Sequence, residues 1–288
     1  MIKKTVLGLL AIGLFAVSCS SDDDNNTSNT ADLTLNLNGL EALGANYVYE
    51  GWVIVNGAPV STGTFSSVTF PQTFEVDAAQ LNAATRFVLS IEPAVDTDPA
   101  PAATKVLVGD FNGASASVDT GIVGDFSNAS GEFFLRTPTD ESGMNNGNDE
   151  NGVWFGTPGM PPAPNFVLPT LPDGWAYEGW VVGDSGPLST GTFTAFNTVD
   201  GAAPFSGAAS GPPVPGEDFF ENEPTGETFP LDVRGRTVVI SVEPVPDDSA
   251  APFAMKPLVG IAGNDTAPAT HAFGRNLASL PTGSVTRN

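Results

Sequence analysis

The 288 residues include a single cysteine, Cys19, and a single histidine, His271. Disulfides, zinc clusters, Cys/His nucleophilic pairs and two-histidine metal sites are therefore excluded by counting. Positive charge is scarce too: ten Lys and Arg stand against 33 Asp and Glu, for a formal net charge of −23. Nucleic acid and bare anionic lipid are repelled by such a surface. Long helices have little room, because 32 Gly and 25 Pro punctuate the chain, and both residue types disfavour helix interiors. What remains is a chain with 41% hydrophobic residues, long enough for two cores and expected to build them from strands.

The longest apolar run, Val6 to Val17, follows Lys3 and Lys4 and ends in Ala16-Val17-Ser18-Cys19. That order of charged end, apolar centre and small residues marks residues 1–18 as a signal peptide, too short to span a bilayer as a mature helix. Ser18 before the lone Cys19 resembles the lipobox of bacterial lipoproteins, which implies lipid on Cys19 as the link to the membrane. Residues 19–31 read as a flexible tether. Within it Asp22, Asp23 and Asp24 resemble the acidic export tag that sends Bacteroidota lipoproteins to the outer face of the outer membrane; a plain spacer is the alternative. The expected location is the outer membrane, lipid-anchored and facing the cell exterior.

An internal repeat organises the rest. Tyr49-Glu50-Gly51-Trp52-Val53 returns as Tyr177-Glu178-Gly179-Trp180-Val181, and Ser61-Thr62-Gly63-Thr64-Phe65 as Ser189-Thr190-Gly191-Thr192-Phe193, at an offset of 128. Ser90-Ile91-Glu92-Pro93 matches Ser241-Val242-Glu243-Pro244, and Lys105 matches Lys256, at an offset of 151, so the second copy carries a net insertion of 23 residues, placed at about 198–228. Aromatic and β-branched residues from Tyr47 to Val55, a turn at Asn56-Gly57 and a return from Val60 to Phe65 predict a hairpin. Phe87, Leu89 and Ile91 alternate with Val88, Ser90 and Glu92, predicting a strand with one core face and one half-polar face that ends at Pro93. The expected fold is all-β, two tandem β-sandwich (Ig-like) domains at 32–156 and 175–288, with Val153-Trp154-Phe155 closing the first and a stiff Pro-rich connector at 157–174.

The Tyr-Glu-x-Trp strand, the Ser-Thr-Gly-Thr-Phe return and the Ile-Glu-Pro segment, followed by Pro99, Pro101 and Lys105-Val106-Leu107-Val108-Gly109, resemble the extracytoplasmic C-terminal domain of anti-sigma-K-type factors. The resemblance implies a β-sandwich outside the membrane and brings no catalytic residues. Members of that family join the sandwich through a membrane helix to a cytoplasmic domain that holds a sigma factor. The sequence shows neither part, so the chain is not expected to hold a sigma factor itself.

Candidate sites are few. Lys105 and Lys256 occupy equivalent places, as do Glu50 and Glu178, and Glu92 and Glu243, which predicts structural charge pairs in which each lysine bonds a glutamate and pins the loop after the Glu-Pro strand. Trp52 and Trp180 are expected in the core. Trp154, Trp175, Phe219 and Phe220, near the connector and in the insertion, are candidate ligand contacts, with packing between the domains as the alternative. The loops Asn145 to Asn151 and Asp96-Thr97-Asp98 offer oxygen ligands for calcium without the register of a calcium loop, so no metal or cofactor is assigned. His271 reads as a surface residue. The expected function is a non-enzymatic cell-surface lipoprotein, a binding or structural module for an unknown extracellular ligand or surface protein and not for nucleic acid. The alternative is a periplasm-facing sensory or regulatory ectodomain related to anti-sigma factors.

Overall fold

A computed structural model describes residues 29–140 and 147–288. The expected signal peptide at 1–18, Cys19, Asp22, Asp23 and Asp24, and the loop positions Asn145 and Asn146 lie outside the described residues. The first repeat runs through β1 (Thr30–Asn38), β2 (Tyr47–Val55), β3 (Ala58–Phe65), β4 (Gln72–Asp77), a short helix α1 (Ala78–Ala83), β5 (Arg86–Pro93), β6 (Lys105–Asp110) and β7 (Ser115–Val118). After β8 (Glu132–Leu135) and β9 (Gly152–Phe155), the second copy follows with β10 (Trp175–Val182), β11 (Pro187–Phe193), β12 (Gly216–Asp218), β13 (Thr237–Pro244), β14 (Leu258–Ile261), β15 (His271–Ala272), β16 (Gly274–Arg275) and β17 (Thr282–Arg287). The described residues are all-β in character, with their strands in four antiparallel sheets.

The hairpin read from the sequence is β2 and β3. Asn56 and Gly57 take φ of 51° and 81°, the pair of left-handed residues that a tight turn between twisted strands needs. The ladder slips between Gly51 and Trp52, and Thr62 is the extra residue of the resulting bulge. A Cβ at Gly51 would overlap the Thr62 hydroxyl, and one at Gly179 would overlap the Thr190 hydroxyl and the Phe155 ring. The glycine of the repeated Glu-Gly-Trp motif is thus fixed by a close approach across the bulge.

Each repeat holds two sheets. One has the order β3-β2-β5-β6 in the first copy and β11-β10-β13-β14-β16 in the second; the other has the order β4-β1-β17-β7 and β12-β9-β8-β15. Leu33, Leu35 and Leu37 of β1 share a core with Phe87, Leu89 and Ile91 of β5, and the same apolar cluster runs on through Phe133, Phe155, Ile240 and Val242. Comparing the sheets β4-β1-β17-β7 and β12-β9-β8-β15 position by position, β9 stands where β1 does, β12 where β4 does, β15 where β7 does, and β8 where β17 does. The eighth strand of the first copy therefore completes the sheet of the second, and the last strand of the second completes the sheet of the first, with Val285 opposite both Leu35 and Ala116. The two copies exchange strands reciprocally within one chain.

This exchange corrects the expected partition. Val153-Trp154-Phe155 opens the second copy's sheet instead of closing the first, because β9 pairs with β8 and with β12 of the insertion. The segment 175–288 does not close on itself, since β17 lies between β1 and β7. The insertion is not a plain loop, for it contributes β12. The connector is packed down: Thr157 bridges Ala163, Val167 bridges Ser130, and the Phe166 ring stacks on Phe196 at 4.4 Å. The face of β5 and β13 expected to be half-polar is polar but closed, since Ser90, Glu92, Ser241 and Glu243 are all buried.

Candidate functional site

The site grows from the alternation in β2, β5 and their counterparts. With Tyr49, Phe87, Leu89 and Ile91 committed to the core, Glu50, Trp52, Ser90 and Glu92 share the opposite face of the sheet. Trp52 Nε1 donates to Ser90 Oγ at 2.8 Å, Ser90 Oγ donates to Glu92, and Glu92 Oε1 accepts the Ala102 N–H at 2.8 Å. The second copy repeats the two ends of this relay: Trp180 Nε1 donates to Ser241 Oγ at 2.7 Å and Glu243 accepts the Phe253 N–H at 3.0 Å, while Ser241 Oγ donates to the Glu178 carbonyl at 3.4 Å. Beside these, Ser61 donates to Glu50 and Ser189 to Glu178. Each buried glutamate holds the returning arm of the loop that its own Glu-Pro pair starts.

In the second copy the carboxylates converge. Glu178, Glu243 and Asp247 each bring an oxygen within 4.8 Å of the others, the first two buried and the third exposed. Burial pushes Glu243 up to about 8 and Glu178 up to about 7, and raises Asp247 as well. Among the described residues no lysine or arginine forms an ion pair with any of them. Desolvation without a compensating cation is the physical cause of the shift. Asp96 stands where Asp247 does, at the offset of 151, and lines a separate hollow with Glu50 and Glu92.

Next to the convergent trio, a cleft of about 420 Å³ opens on the seam between the copies. Leu43, Tyr47, Ile91 and Pro93 of the first copy line it with Val245 and Phe253 of the second, and Glu41, Asp247 and Asp248 are its acids. Tyr49 Oη donates to the Glu41 carbonyl at 2.9 Å and so holds the 41–47 segment in place, as Tyr177 Oη does with the Pro169 carbonyl at 2.6 Å. Asn46 Nδ2 reaches across to Asp248 Oδ2 at 2.7 Å. Apolar walls with a few polar groups at the edge are the ordinary make-up of a small-molecule site.

The expected lysine–glutamate pairs do not form. Lys105 Nζ donates to the Ala102 carbonyl at 2.7 Å and Lys256 Nζ to the Phe253 carbonyl at 2.6 Å, so each lysine does pin its loop, but through backbone oxygen three residues away. The glutamates are occupied by serines and amides instead. Trp154, Trp175 and Phe219 are buried, which removes them as ligand contacts: Trp154 Nε1 donates to Asp218 Oδ1 at 2.9 Å, Trp175 packs on Phe253, and Phe219 packs between Phe205 and Phe229. Phe220 is half-buried, its amide bonded to the Phe205 carbonyl. Trp52 and Trp180 are buried as expected, although on the relay face and outside the main apolar cluster. His271 is half-buried; it accepts the Gly263 N–H at Nδ1, and its Nε2 lies 2.9 Å from the Asp265 carbonyl. Asp96 and Asp98 each accept the amide two residues on, as turn-forming aspartates do. Sequence reasoning missed the serines of the relay, Glu41 and Asp247. Ser90/Ser241 and Asp96/Asp247 do repeat at 151, a signal that could have found them, whereas Glu41 has Pro169 at its repeat position.

No helix among the described residues is long and apolar enough to cross a membrane. No curated protein and no solved structure matches the chain. Residues 25–106, spanning β1 to the start of β6, match the family described as anti-sigma-K factor rskA, C-terminal, and this segment is thereby related to that domain.

Proposed function

We propose that the chain is a non-enzymatic, envelope-associated regulatory module that faces the periplasm, is anchored through lipid on Cys19, and takes a ligand in the cleft between its repeats. The observation that carries this reading is the match of residues 25–106 to the anti-sigma-K C-terminal domain. The cleft supports it, being built from both copies at once, so that an occupant would bias how the copies meet. A carboxylate hydrolase is the weaker reading. Glu178 and Glu243 come as near each other as a retaining glycosidase pair, which sits about 5–5.5 Å apart, but they are 6% and 1% exposed, and no glycosidic bond reaches between them.

Transcript profiling of a deletion strain tests the regulatory part. Loss of the gene is expected to change a sigma-dependent set of transcripts, restored by the wild-type chain; an unchanged profile overturns it. Protease shaving of intact cells tests the location. Protection of the native protein is expected. Cleavage that is lost when Asp22, Asp23 and Asp24 become Ala would place the module on the cell surface and favour a binding role there.

A further inference from the structure

We infer that the seam cleft receives a small amphiphile with an apolar body and a single cationic head, an alkyl- or arylalkyl-ammonium. The inference rests on the reading of the cleft as the ligand site and adds the class of ligand. Leu43, Ile91, Val245 and Phe253 supply an apolar wall, and the volume of about 420 Å³ suits a small molecule. The lining carries three carboxyl groups, those of Glu41, Asp247 and Asp248, and no lysine or arginine. Lys256 lies near enough to oppose the upward shift of Glu41, but its ammonium is held by the Phe253 carbonyl at 2.6 Å.

The head group's place is set by Asp247. This residue belongs both to the cleft and to the trio with Glu178 and Glu243, and it is the exposed member of the three. The Phe253 amide on Glu243 ties the apolar wall to the same trio. An ammonium at Asp247 would meet the exposed carboxyl group of the trio, at the rim of the cleft, while its hydrocarbon lies on the wall. Anionic amphiphiles meet the opposite field, reinforced by the net charge of −23. Tyr47 also lines the cleft, and aromatic rings attract ammonium groups.

Calorimetric titration of the purified chain at neutral pH with octylammonium, octanol, octanoate and calcium chloride tests this. Octylammonium should bind at least about tenfold more tightly than octanol, as a charge-assisted contact requires, and octanoate should not bind. Val245→Lys, at a half-exposed position on the wall, should abolish octylammonium binding, and Asp247→Asn with Asp248→Asn should weaken it about tenfold while leaving octanol unchanged. Thermal midpoints within a few degrees of wild type confirm that either variant is folded; if one is not, the other decides. Equal binding of octanol and octylammonium, binding of octanoate, or heat from calcium alone overturns the inference. A deletion phenotype alongside any of those results would overturn only the ligand class and leave the regulatory reading in place.

Discussion

Gly51 shows how one missing side chain sets a bulge. The Thr62 hydroxyl occupies the space a Cβ would take, with the Phe87 ring just behind. Gly51→Ala is expected to cost about 1–3 kcal/mol, the usual penalty of overpacking, and Gly51→Ala with Thr62→Ala should recover part of it. Chemical denaturation of the two single variants and the double variant measures the coupling, and additive losses would contradict this account. The lysines teach the complementary lesson. Lys105 and Lys256 each bond a carbonyl three residues earlier, so Lys256→Met should loosen its loop by about 1 kcal/mol and leave the titration of Glu243, to which it is not bonded, unmoved.

Among the elements, β17 carries the most consequence for its length. It lies between β1 and β7, in a sheet of the first copy and outside both sheets of the repeat to which its sequence belongs. Arg287 fastens it: Nη1 donates to the Leu81 and Ala84 carbonyls at 2.7 and 2.8 Å, Nη2 donates to the Gly113 carbonyl at 2.8 Å, and the guanidinium stands 4.5 Å over the Phe111 ring. Arg287→Ala should therefore cost about 2–3 kcal/mol. Amide hydrogen exchange should show protection lost first in β1, β7 and α1, all within the first copy. Loss confined to the second copy would contradict the strand exchange. The salt bridge between Arg86 and Asp110, both largely exposed, should matter far less when cut.

At the scale of the whole molecule, burial of acids makes stability depend on pH. Burial pushes Glu217 and Glu243 up to about 8, and Glu178, Asp200 and Asp218 up to about 7. Unfolded, such groups titrate near 4, so between about pH 4.5 and 8 the unfolded chain binds fewer protons than the folded one. Their contribution is complete below the unfolded values and is lost as pH rises through the folded ones. The unfolding free energy should accordingly be greater at pH 5.5 than at pH 8.5, by an amount on the order of several kcal/mol, with the thermal midpoint higher at pH 5.5, and Glu217→Gln should flatten the profile. Repulsion among the 33 acidic residues acts in the same direction. A midpoint that rises with pH would contradict the buried, protonated state of these acids.

The sequence by itself determined the β class, the hairpin at Asn56-Gly57, the two copies and the resemblance of residues 25–106 to the anti-sigma-K domain, because turn chemistry, alternation and repeated motifs are local and survive in one dimension. It did not determine which sheet each strand joins. β8 and β17 are short, and either could complete either copy by pattern alone; only the packing of Val285 against Leu35 and Ala116 and the anchoring of Arg287 decide it. The site was legible in part for the same reason. Glu178 and Glu243 were visible as repeated acids, but the approach of Asp247 to them and the seam cleft beside it arise from loops folding back over a sheet, where contact depends on distance in space and not on spacing along the chain.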